Sequence, residues 1–272
     1  MSYFPPLPAI LYGTAWKKER TAALVELALG SGFRGIDTAC QPKHYHEAGV
    51  GDGIAAAYGR GLQREALYLQ TKFTPIAGQD PNHVPYSVTA PLAQQVAESV
   101  AMSLSNLKTS YLDALVLHSP LPTLIETLEV WRAFEEFVDR GVLRDLGISN
   151  CNKPQLQALY REARIKPTLV QNRFYKATAY DREVREFCRM HGIRYQSFWT
   201  LTANPHLLQH RKMTRLAHHY HRTPAQIFFR YLTQRAIVLL TGTTSAAHMR
   251  EALAISEFVL SHDECRDLDT LL

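Results

Sequence analysis

The chain has 272 residues, of which 46% are hydrophobic and 20% charged, with a formal charge of +5. That composition belongs to a globular protein with ample material for a core, and it excludes disordered and fibrous classes. No apolar run is long enough to cross a bilayer, and the basic residues are dispersed without a nucleic-acid motif, so neither a membrane nor a nucleic acid is expected as a partner.

From the N-terminus, MSYFPPLPAILYG has no basic start and no extended apolar stretch ending in small residues, so no secretory leader is expected and the cytoplasm is the default location. Short β-branched or aromatic runs then alternate with amphipathic stretches. Strands are predicted at Ala9–Tyr12, Phe33–Asp37, Ala66–Lys72, Leu112–His118, Leu143–Ser149, Thr168–Asn172, Ile193–Phe198 and Ala236–Thr241. Between them, Ala90 to Leu107 sets Leu92, Val96, Val100, Leu104 and Leu107 on one helical face, and Thr223-Pro224 marks a helix start. The longest connection, Phe73 to Thr89, is of the length that is usually functional or disordered. About eight such alternations with no intervening linker predict one α/β domain over residues 1–272, a (β/α)8 barrel of the TIM type rather than an open doubly wound sheet. Cys40, Cys151, Cys188 and Cys265 lack paired spacing and read as free thiols. The run His206 to Arg222 carries five histidines, with His218 and His221 one helical turn apart, but no third ligand accompanies them. It reads as a solvated helical face, and no metal is expected.

Four predicted strands end in a polar side chain after an apolar run: Asp37, Lys72, His118 and Ser149. In a barrel these strand ends converge on one rim, where active sites are built. The motifs GIDTA, TK, LVLHSP, GISN and TPAQ follow in the order found in aldo-keto reductases, and from Gly35 to Gln226 the chain resembles that family. The resemblance implies reduction of small aldehydes or ketones by NADPH, or by NADH, on a tetrad of Asp37, Tyr45, Lys72 and His118. The family usually sets its tyrosine five residues after the aspartate, where this chain has Pro42. Tyr45, eight residues after Asp37 and followed by an acidic residue and VG, takes that role in a lengthened loop, with His44 and His46 as rival acids. Chemically the set is coherent. A phenol titrates near ~10, so the Lys72 ammonium is expected to lower its pKa while Asp37 holds the ammonium, and His118 orients the carbonyl.

The resemblance further implies that Ser149, Asn150 and Gln171 hold a nicotinamide carboxamide and that Phe198 stacks on its ring. No GxGxxG follows a strand, which counts against a Rossmann dehydrogenase. After the last strand, Gly242, Thr243 and Thr244 lead into a helix suited to phosphate. Gly242 and His248 stand where the family often has a Lys and an Arg for the 2′-phosphate of NADP, and Glu251 stands where it has an acid near the adenine. Trp16, Phe73 and Ser119 are expected in the substrate pocket, with Ser119 in the place of a frequent Trp. The oligomer is expected to be a monomer or weak dimer. Two other readings fit the residues: a Schiff-base aldolase using Lys72, and a redox-sensing protein that holds the cofactor with little turnover.

Overall fold

A computed structural model describes residues 7–272, so the first six residues of the N-terminal segment lie outside it. The elements follow the predicted alternation. They run β1 (Ile10–Gly13), α1 (Thr21–Ser31), β2 (Gly35–Asp37), α2 (Glu47–Tyr58), β3 (Tyr68–Phe73), α3 (Leu92–Leu107), β4 (Leu112–Leu117), α4 (Leu124–Asp139), β5 (Leu143–Ser149) and α5 (Lys153–Glu162). The second half continues β6 (Leu169–Arg173), α6 (Arg182–Met190), β7 (Arg194–Phe198), α7 (Pro205–Leu208), α8 (Arg211–Tyr220), α9 (Pro224–Gln234), β8 (Ile237–Thr241), α10 (Ala246–Leu253) and α11 (His262–Asp269). Each strand pairs in parallel with the next, and β8 returns to β1 with Ile10 opposite Leu239, which closes an eight-stranded barrel.

Strand alternation divides the side chains between two environments. On β3, Leu69 and Phe73 join the large cluster between barrel and helices, while Tyr68 joins Leu11, Ala114, Val116, Leu169 and Val238 inside the barrel. Polar residues of the same inward parity, Gln70, Gln171 and Gln196, lie above that apolar layer and hydrogen-bond one another. Two strands begin two residues later than predicted, for local reasons. Phe33 belongs to the end of α1, where Gly32 is left-handed (φ 113°) and the Phe33 N–H returns to Ala28 O. Ala66 closes a 3₁₀ turn over Arg64–Ala66.

The helix signals act as read. Val96, Val100 and Leu107 of α3 are buried, and Thr223 caps α9 in a capping box with Gln226. Gly51 permits a close approach of α2 to α3, since a Cβ there would stand 1.9 Å from the Asn106 carbonyl oxygen of α3. In the histidine run, His210 caps α8, His206 Nε2 lies 3.1 Å from the Tyr180 hydroxyl, and His218 and His221 are exposed. The four cysteines are buried free thiols. Among the described residues no helix is long and apolar enough to cross a membrane.

Candidate active site

Asp37 ends β2 and Lys72 is the fifth residue of β3, so both side chains reach the barrel interior at the C-terminal rim. Lys72 Nζ donates to Asp37 Oδ1 and Oδ2, each at 2.7 Å, and to Thr38 O at 2.8 Å. These three contacts use all the ammonium donors of a fully buried side chain. Asp37 Oδ1 also accepts from Gln70 Nε2 at 2.6 Å and Gln171 Nε2 at 2.9 Å. The carboxylate is therefore fixed by three side chains from two other strands, Gln70 and Lys72 of β3 and Gln171 of β6. Burial lowers the Lys72 pKa, and the Asp37 charge opposes that shift.

Tyr45 stands beside this pair. Lys72 Nζ lies 5.3 Å from the centre of its ring, and the ring centroids of Tyr45 and His118 are 6.1 Å apart. The expected acidification of the phenol is overturned. Burial, reinforced by the Asp37 charge, holds the Tyr45 pKa well above the ordinary phenol value. His118 is pushed down to about 3 by burial and by the Lys72 charge, so its imidazole is neutral at ordinary pH. Thr74 Oγ1 lies 2.6 Å from His118 Nδ1, which fixes the ring and leaves Nε2 free of that pairing.

The loop carrying Tyr45 is anchored two residues later. Glu47, in the first turn of α2, is buried and accepts from Thr71 Oγ1 at 2.5 Å, Ser103 Oγ at 3.0 Å and Asn106 Nδ2 at 3.2 Å. Burial raises its pKa and these donors oppose the rise. The long segment after β3 is packed rather than loose. Tyr86 and Gln79 both donate to Thr74 O, and Gln41 Nε2 donates to Gly78 O. His83, Val84 and Pro85 of that segment, with Tyr45, line a second pocket of about 300 Å³.

A cavity of about 480 Å³ opens over the rim, and its wall includes Trp16, Asp37, Tyr45, His118, Ser149, Asn150, Gln171, Phe198, Gly242 and Thr243. Neither rival acid reaches it. His44 is stacked on Trp16 at 3.9 Å between ring centroids, and His46 is exposed. Asn150 Nδ2 donates to His118 O and Ser149 Oγ, and Gln171 Nε2 donates to Asp37 and Gln196. Their amide oxygens take no hydrogen bond from the described residues, so both are left as acceptors. An amide group in the cavity would find partners there.

Five positions expected to bind cofactor or substrate lie outside the cavity wall. Phe73 has outward parity, is fully buried, and packs on Tyr86 and Phe134 at 5.5 and 6.2 Å, so it belongs to the core and not to a substrate pocket. Ser119 is half-buried outside the cavity wall. Thr244 and His248 are exposed at the start of α10, and Glu251 faces a separate groove with His218, His221 and Arg222. Other residues were missed. Lys17, from the β1–α1 loop, lines the cavity and donates to Gly242 O, with no carboxylate partner among the described residues; burial lowers its pKa, and Arg20 adds to the effect. Gln70 and Gln196 were legible only as polar residues of inward parity in apolar strands.

Comparison with known proteins agrees with this architecture. The chain is 28% identical to the glyoxal reductase of Bacillus subtilis over 247 residues, covering 91% of this chain and 82% of that one. Its fold superimposes on the crystal structure of an aldo/keto reductase from Brucella melitensis with a TM-score of 0.81 at 26% identity, covering 97% of this chain and 95% of the other. A silkworm (Bombyx mori) aldo-keto reductase crystallised in complex with NADPH has the same fold, with a TM-score of 0.82 at 22% identity over 97% of this chain and 84% of that one. The sequence profile of the Aldo/keto reductase family matches residues 10–272, and the chain belongs to that family.

Proposed function

We propose that the chain is an NAD(P)H-dependent reductase of small carbonyl compounds, with Tyr45 as proton donor. The observation that carries this reading is that the Tyr45 ring lies near both Lys72 and His118 in the wall of one cavity that also includes Asp37. The bound nicotinamide supplies the hydride. Gln171 and Asn150, with amide oxygens left open, and Ser149 would hold its carboxamide, and Phe198 would offer a ring face. Lys17 brings to the cavity wall an ammonium with no carboxylate partner among the described residues, suited to the phosphates. NADPH is the expected cofactor, in keeping with the silkworm protein, although Gly242 and His248 supply neither of two fixed cations for a 2′-phosphate.

The raised phenol pKa gives the proton transfer its order. Tyr45 holds its proton against ordinary bases and donates a hydrogen bond to the carbonyl oxygen, as does the neutral His118 imidazole. Once the carbonyl is reduced, its oxygen is an alkoxide, a stronger base than phenolate, and takes the proton. The nearby Lys72 ammonium then stabilises the phenolate until Tyr45 is reprotonated.

The Schiff-base alternative fits poorly, because Lys72 is fully buried and its ammonium is bound on all sides. Oxidation of NADPH and NADH measured against a panel of aldehydes, ketones and dicarbonyls tests the proposal. Glyoxal and methylglyoxal belong in that panel, given the glyoxal reductase of Bacillus subtilis. Turnover of at least one carbonyl is expected. Tight cofactor binding with no turnover of any would replace this reading with the redox-sensing one.

A further inference from the structure

Arg173 ends β6 opposite Phe198 of β7 and has the inward parity of Leu169 and Gln171. Its guanidinium carbon lies 3.9 Å from the Trp199 ring centre, 5.4 Å from that of Tyr175 and 5.9 Å from that of Phe198. Phe198 and Trp199 both line the active-site cavity. Among the described residues nothing accepts a hydrogen bond from Arg173, no carboxylate lies within ion-pair distance, and its Nε is shut off from solvent without a partner. Arg64 and Arg144 pair with Asp113, and Arg194 with Asp145, whereas Arg230, away from the cavity wall, shares with Arg173 a buried Nε without a partner. Burying an N–H donor unpaired is unfavourable. Trp199 adds a second unfavourable feature, since its backbone is left-handed (φ 58°), a conformation a bulky residue rarely adopts. The two features meet at Trp199, which lines the cavity and carries Arg173 against its ring, although Arg173 itself is not part of the wall.

We infer that Arg173 anchors an oxyanion site beside the cavity, taking a carboxylate or phosphate group of the molecule bound there. Stacked on aromatic faces, a guanidinium keeps its edges free, and the planar fork matches an oxyanion bidentately. Such a group would take the two Nη donors, which have no acceptor among the described residues, and not the enclosed Nε. Only the identity of the bound molecule rests on the reductase reading, since the oxyanion itself is either a cofactor phosphate or an acidic group of the substrate.

The test uses Arg173→Gln and Arg173→Lys in the full chain with three readouts: NADPH affinity by fluorescence titration, the KM of a carboxylated aldehyde relative to a neutral one, and the thermal shift caused by inorganic pyrophosphate. Loss of a bidentate charged contact should weaken one of the first two by at least about tenfold in Arg173→Gln. A change confined to NADPH identifies the phosphate source, and a change confined to the carboxylated aldehyde identifies the substrate source. Arg173→Lys should recover only part of the loss, because the fork is gone. Arg173→Met, which keeps an apolar stem against Trp199, takes the place of Arg173→Gln if that variant fails to fold. If no carbonyl is turned over, the reductase reading fails, and NADPH affinity with the pyrophosphate shift still decides for Arg173. Unchanged values in all three, with or without a lowered melting temperature, would reduce Arg173 to a prop for Trp199 and overturn the inference.

Discussion

Tyr45→Phe keeps the ring beside Lys72 and His118 and removes its one exchangeable proton. Carbonyl reduction should fall by ~10²–10⁴ with cofactor affinity nearly unchanged; near wild-type turnover would remove Tyr45 from the chemistry. His118 offers a test of a different kind, because its folded pKa of about 3 lies far below the ~6.5 of an unfolded histidine. Between those values the unfolded chain binds a proton that the folded chain refuses, so this contribution to stability is fully present above about pH 6.5 and is lost as pH falls toward 3. Denaturant unfolding at about pH 7 and about pH 4.5 should show a smaller acid loss in His118→Gln than in the parent, and equal losses would contradict the assigned burial. Asp37, Lys72 and His118 were legible as polar ends of apolar strands. The fate of the Lys72 ammonium was not, because whether it serves the phenol or the carboxylate depends on distances that only the closed rim sets.

The α2 N-terminus is what holds Tyr45 in place. Glu47→Ala should leave Thr71, Ser103 and Asn106 without their shared acceptor, a cost of about 1–3 kcal/mol for each donor left buried and unsatisfied. The expected signature is a lower kcat with an unchanged cofactor Kd, largely restored in Glu47→Gln; a raised cofactor Kd with normal kcat would point to a role at the cofactor instead. The order and type of the strands were readable from hydrophobic periodicity, as the β5 boundaries illustrate. Their outer limits at Phe33 and Ala66 were not, since a left-handed Gly32 and a 3₁₀ turn decide them. The segment from Phe73 to Thr89 looked structureless because its order comes from side-chain bonds to the backbone around Thr74, which no local pattern announces.

At the scale of the whole molecule, the barrel brings Asp37, Gln70, Gln171 and Gln196 into one hydrogen-bonded belt from four strands spread over most of the chain. Sequence alone indicated the barrel through the repeat of its units, but the belt required the inward register of each strand. The seam between β1 and β8 has a kinetic consequence. Ile10 and Leu239 are near neighbours in space and far apart in the sequence, so their pairing closes a loop that takes in most of the chain. Local βα units can assemble early, whereas the rim that grips Asp37 is finished only with that last pairing. On refolding from denaturant, tryptophan fluorescence and helical signal should therefore return ahead of carbonyl reduction, and a deletion of β8 should yield a compact, helical species that never acquires activity. Activity recovered in step with helical signal would mean that the seam forms first, and that this barrel is built from its ends inward.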